Sequence, residues 1–275
     1  MFGSVELRSH RVPLGLRLAA ANLLAAACFC LLALSPAVAS ADVQTWQFDL
    51  YNSRGVMYQD PDYTACVATN TEMMLDMTSY QSSLGFLASG NEVFQLPMRW
   101  RPTTSTAEQA TILAYARANM TMLTSSAGSD PHGWRNALNY FGWGRMTAGV
   151  YRDSSYTSFD SATRAVVASL ARHERPVGIL ALAGRHAQMI TGYVVTGEDP
   201  AVSDDYTIVG VYITDSLKSA AMRDTYVTLA TWQSGADAVR FVPYLETDSP
   251  YQDPIDGQVG RTEWYGKWVI IDAVR

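Results

Sequence analysis

The chain has 275 residues, of which 48% are hydrophobic, 17% charged and 11% aromatic, with a formal net charge of −6. That is too apolar and too sparsely charged for a disordered chain, and the length suits one large domain or two smaller ones. No basic cluster answers the charge of nucleic acid or of an anionic membrane surface, so neither is an expected partner.

The first forty residues change the counts that matter. Arg8, His10, Arg11 and Arg17 precede an uncharged run from Leu18 to Leu34, and the small-x-small sites Ala37-Val38-Ala39 and Ala39-Ser40-Ala41 follow. This is the layout of a secretory signal peptide. Residues 1–41 are therefore read as a signal and 42–275 as one mature domain, secreted or held at the cell surface. The alternative is a retained anchor, since a run of 17 residues stands at the short edge of the roughly 17–25 that cross a bilayer. Cleavage removes three Arg and one Glu, taking the net charge from −6 to −8, and it removes Cys28, Cys30 and His10. One thiol, Cys66, and three imidazoles, His132, His173 and His186, remain. An exported lone thiol has no disulfide partner within the chain and is open to oxidation unless buried or used. Cys66 is either a core residue or a nucleophile.

In chain order, Thr45 to Leu50 alternates as a strand, 52–55 reads as a turn and Val56-Met57-Tyr58 resumes a strand. A helix is predicted from Cys66 to Met77, with Cys66 at its polar start, and a second from Ser105 to Met120. A third runs from Trp134 to Phe141 and stops at Gly142, and a fourth from Ser161 to Arg172. From Pro176 the pattern becomes strands: Val177–Leu182, Ala187–Val195, Tyr206–Thr214, Thr225–Leu229, Val239–Leu245 and Lys267–Ile271. Helices followed by a sheet predict an α+β domain.

A thiol nucleophile needs a lowered pKa, which a helix N-terminus and a nearby imidazole supply. His173 lies in a charged turn, and His132 follows Asp130-Pro131 in a loop where it could cap the third helix. His186, in Gly184-Arg185-His186-Ala187-Gln188 at the mouth of a strand, has small neighbours that leave room beside its ring. It is the best base. Pairing Ala187–Val195 with Tyr206–Thr214 around the intervening loop sets His186 opposite Asp215, close enough for a carboxylate to orient the ring. Asp215 also reads as a plain turn former, and Asp60 or Asp62 could stand near the site instead. Gln59, seven residues before Cys66, could place its amide beside the Cys66 N–H as an oxyanion donor. No short His or Cys spacing marks a zinc site, which would have to be assembled with carboxylates, and no glycine-rich phosphate loop follows a strand, so no metal or cofactor is expected.

Tyr58-Gln59-Asp60-Pro61-Asp62-Tyr63-Thr64-Ala65-Cys66-Val67-Ala68, Arg175-Pro176-Val177-Gly178-Ile179, the run from Gly184 to Tyr193 and Val211-Tyr212-Ile213-Thr214-Asp215 resemble the Gln…Cys, His and Asp blocks of a bacterial papain-like family. That family is the soluble, exported branch related to the peptidase domains that cut double-glycine leaders in bacteriocin exporters. The resemblance spans about residues 56 to 215. It implies a papain-like cysteine peptidase fold, with N-terminal helices carrying the Cys packed on an antiparallel β-sheet carrying His and Asp. It implies thiol-dependent amide hydrolysis, with a peptide or protein as the expected substrate; the chain is expected to be a monomer. The loop 196–205 lengthens the His-to-Asp segment, and the last sixty residues have no catalytic counterpart. A cell-wall peptide amidase with the same Cys-His pair, and an inactive papain-fold binding module, are the alternatives.

Overall fold

A computed structural model describes residues 43–54, 58, 60–85, 106–121, 128–217, 222–235, 240–246 and 263–275. The expected signal segment, the strand residues Val56 and Met57, and Gln59 lie outside them. The described elements are β1 (Thr45–Asp49), α1 (Tyr51–Arg54), α2 (Cys66–Gly85), α3 (Thr106–Ala118), α4 (Pro131–Trp143), β2 (Tyr151–Tyr156), α5 (Phe159–His173), β3 (Val177–Ala181), β4 (His186–Gly197), β5 (Tyr206–Asp215), β6 (Met222–Thr228), α6 (Leu229–Ser234) and β7 (Trp268–Ala273). The architecture is α+β, with an open antiparallel sheet in the order β2-β7-β3-β4-β5-β6. β3 pairs with the first half of β4, and β1 continues along the second half of that same edge.

The sheet has a core on each face because its central strands alternate apolar side chains between the two. Leu180, Ala187, Met189, Val269 and Ile271 face one core with residues of α2, α3 and α4, whereas Ile179, Ile190 and Ile270 face the other with α5. Trp134 of α4 is fully buried, and a Cβ placed on Gly178 of β3 would stand 2.5 Å from its Cη2. Helix and sheet approach this closely only over a residue without a side chain. Gly178→Ala is expected to cost about 1–3 kcal/mol, read as a lower urea midpoint at unchanged slope; an unchanged midpoint would contradict the packing described.

The elements depart from the sequence reading in several places. The expected turn at 52–55 is a single helical turn from Tyr51 to Arg54, with the Asn52 N–H bonded to Asp49 Oδ1 at 3.1 Å. α2 runs on to Gly85. α4 starts earlier because Asp130 caps it, accepting from the Gly133 N–H at 2.8 Å with Pro131 in the first turn, so His132 sits inside the helix and does not cap it. α4 also passes through buried Gly142 and ends at Gly144, whose φ of 83° suits the left-handed cap position. The segment 240–246 forms no strand, and the polar strand β2, absent from the sequence reading, pairs with β7 along its length.

Candidate active site

The start of α2 is set by a local turn. Asp62 accepts bonds from the Thr64 N–H at 2.7 Å and the Thr64 hydroxyl at 2.6 Å, which hold its carboxyl below the usual carboxylate range. The Thr69 N–H bonds to the Ala65 carbonyl at 2.9 Å, so Ala65 caps the helix and Cys66 is its first residue. N–H groups in the first turn have no intrahelical acceptor, and their dipoles favour negative charge there. The Cys66 thiol therefore occupies the position in a helix that best supports a thiolate.

His186 arrives from a left-handed turn. Leu182, Ala183 and Gly184 have φ of 51°, 61° and 94° in succession, a conformation that costs about 1–2 kcal/mol at each residue with a side chain. Outside contacts hold it. The Leu182 N–H donates to the Arg240 carbonyl at 2.8 Å, and the Leu245 N–H donates to the Ala183 carbonyl at 3.0 Å. The space that Gly184 leaves is taken by the Tyr244 ring, which comes within 2.4 Å of where a Cβ on Gly184 would stand, and it does not remain as room beside the imidazole. The segment 240–246 thus flanks the approach to His186, with Arg185 paired to Glu246 at 3.5 Å.

Asp215 ends β5 one strand away. The ladder pairs Met189 with Thr214 and Ile190 with Ile213, a shift of two residues from the expected register. A two-residue shift keeps every side chain on its face of the sheet. Continued by one step, the ladder sets Asp215 beside Gln188 and diagonal to His186, and it reaches both. His186 Nε2 lies 2.6 Å from Asp215 Oδ1, and Gln188 Nε2 donates to Asp215 Oδ2 at 2.7 Å. The Leu217 N–H adds a third bond to Oδ1 at 2.9 Å.

With Nε2 engaged by Asp215, Nδ1 is the ring nitrogen left for Cys66, whose sulfur acts on the ring beside it. Burial alone would pull the imidazolium pKa down. The bond to Asp215 and the adjoining Cys66 sulfur outweigh it, and His186 is pushed up to about 10. The ring is thereby held protonated beside Asp215 and Cys66, an arrangement suited to proton transfer to and from sulfur.

Two further side chains fix the geometry. Asn70, one turn after Cys66, donates from Nδ2 to the Cys66 carbonyl at 2.8 Å and the Ala187 carbonyl at 3.0 Å, with Ser216 Oγ at 3.2 Å. It joins the start of α2 to the residues following His186 and Asp215. Asp60 is buried, and its N–H bonds to the Ser216 carbonyl at 2.9 Å. Burial raises the Asp60 pKa and Asp215 adds to the rise, while the adjacent Ser216 and Thr69 hydroxyls and the His186 charge pull it back. Those hydroxyls lie beside the carboxyl without full hydrogen-bond geometry to it.

The structure accordingly brings Cys66, His186 and Asp215 together and places Asp60 next to them. Asp62 is an exposed turn former, and His173 ends α5. Gln188 and Asn70 had no role in the sequence reading, although spacing signals them: Gln188 follows His186 by two along a strand, and Asn70 follows Cys66 by four along a helix. Cys66 and His186 are 7% and 5% exposed, so the pair sits in a nearly closed setting. Among the described residues no helix is long and apolar enough to cross a membrane. Searches of known protein families, characterised proteins and solved structures find no match to this chain.

Proposed function

We propose that the chain is an exported papain-like cysteine peptidase that hydrolyses peptide bonds. The observation that carries this reading is the pairing of a lone thiol at a helix start with an imidazole whose far nitrogen is held 2.6 Å from a buried carboxylate. Cys66 Sγ attacks the substrate carbonyl while His186 holds the thiol proton. His186 then passes that proton to the leaving amine as the acyl–sulfur intermediate forms. Water, deprotonated by His186, attacks the thioester; the acid departs and the thiol is restored. Asp215 keeps the ring in place and stabilises the imidazolium. The tetrahedral oxyanion is assigned to the Cys66 N–H, with the Gln59 amide as second donor.

The near-complete burial of Cys66 favours a second reading, an inert papain-fold binding module. Rates of Cys66 alkylation by iodoacetamide from pH 4 to 9 separate the two. Under the peptidase reading the native thiol reacts well below pH 8, and His186→Ala shifts the reactivity up toward the range of a free thiol, near pH 8.5. A thiol that reacts only after denaturation would sink the peptidase reading and leave the module.

A further inference from the structure

A second cluster of titratable side chains shares no residue with the Cys66 site. His132 Nε2 of α4 lies 3.3 Å from Asp153 Oδ2 of β2 and 3.3 Å from Glu263 Oε2 in the segment leading to β7. The three atoms all lie within 4.8 Å of one another. We propose that His132, Asp153 and Glu263 bind a divalent transition-metal ion, with Zn2+ the ion best suited to their ligand set.

The separations support this. Charge-assisted N–H···O bonds are usually about 2.7–2.9 Å long, shorter than either contact. Ligands about 2.0–2.1 Å from a tetrahedral ion stand about 3.3–3.4 Å from each other, which matches both. The ligand types select among metals: one imidazole with two carboxylates suits zinc, whereas calcium and magnesium want six or more oxygens.

The surroundings are those of a ligand set with its outer partners in place. His132 Nδ1 is hydrogen-bonded to the Thr121 hydroxyl, which leaves Nε2 facing the two carboxylates. Asp153 accepts from Arg135 Nη1 at 2.7 Å through Oδ1 and from the Trp264 indole N–H at 3.1 Å through Oδ2. The Trp264 ring packs edge-on against the imidazole at 4.3 Å. His132 and Asp153 are sealed from solvent, while the Glu263 side chain is 25% exposed. An ion therefore enters from the Glu263 side, where water completes its coordination. There it ties α4 and β2 to the segment 263–267, whose Gly266 N–H and Lys267 carbonyl bond to Tyr244.

The test uses the full chain carrying Cys28→Ser, Cys30→Ser and Cys66→Ser, so that no zinc is taken by a thiol, stripped with a chelator and titrated with Zn2+ against a chromophoric competitor. Saturation at one ion per chain is expected. At Zn2+ a hundredfold above Kd the melting temperature should rise by about 5–10 °C. Glu263→Gln, partly exposed and nearly isosteric, should fold normally and weaken Zn2+ binding about tenfold or more. Absence of saturable binding, or an affinity unchanged by Glu263→Gln, would overturn the proposal and leave His132 in contact with two carboxylates alone. Neither outcome bears on the role of Cys66.

Discussion

Under the proposed peptidase function, Cys66→Ala is expected to lower hydrolysis of a susceptible peptide by about 10⁴-fold or more, and His186→Ala by a similar factor. Both act on one step, because the imidazole is useful only with a thiol to deprotonate. The double variant should consequently lose little beyond either single one, as residues that work as a unit do. Initial rates on a peptide library, with KM and kcat separated for the best substrate, give the comparison. The loss belongs in kcat, since neither group is needed to bind the ground state. If Cys66→Ala retained activity within tenfold of the parent, hydrolysis would have to be assigned elsewhere in the protein.

The second large effect concerns stability. Asp215 accepts bonds from His186, Gln188 and the Leu217 N–H, all at a site where the carboxylate is 1% exposed. Asp215→Ala strands two buried donors and removes the partner of an imidazolium, a loss of about 3–5 kcal/mol. Its pH dependence has a definite sign. A Cys66→Ser background leaves the imidazole and carboxylate as the coupled pair, and Asp215 still raises the His186 pKa. Below about pH 6.5 both folded and unfolded chains carry the imidazolium, and the full stabilisation is present. Above it the folded chain keeps a proton that the unfolded chain has released. Stability then falls by up to about 1.4 kcal/mol per pH unit until the folded pKa is passed; with Cys66 present that value is about 10. Urea unfolding at several pH values measures this slope, which should be absent from Cys66→Ser combined with Asp215→Ala. A slope of equal size in that double variant would detach the effect from His186.

The elements that sequence locates best are those whose pattern is local. The helix from Ser161 to Arg172 is found as Phe159–His173, because Ser158 caps it and its apolar residues recur at helical spacing. The strands at 177–182, 187–195 and 206–214 are recovered for the same reason, their apolar runs being bounded by breakers. β2 escapes because Arg152-Asp153-Ser154-Ser155 is polar, and what makes it a strand is the β7 edge beside it. The opposite holds for 240–246, apolar enough to suggest a strand but bonded singly to the turn at 182–183 and to residues 266–267.

The candidate site divides along the same line. That Cys66 begins a helix is written in the polar turn Asp62-Tyr63-Thr64 before it and the apolar spacing after it. That Asp215 lies near His186 followed from pairing two strands around one loop, and an error of two residues in register left the face unchanged. The partnership of Asp215 with Gln188, the bridging by Asn70 and the approach of buried Asp60 depend on helix α2, β4 and the end of β5 meeting in space. So does the cluster of His132, Asp153 and Glu263, drawn from three segments spread over more than a hundred residues.

By itself the sequence determined the α+β class, the helical start at Cys66 and the short supply of thiols and imidazoles, because propensity, periodicity and composition act over a few residues or none. Only the tertiary structure decided which carboxylate meets which imidazole. Strand register and helix docking are set by burying apolar faces over the whole chain, and a side chain's partner across that distance leaves no mark on the residues next to it.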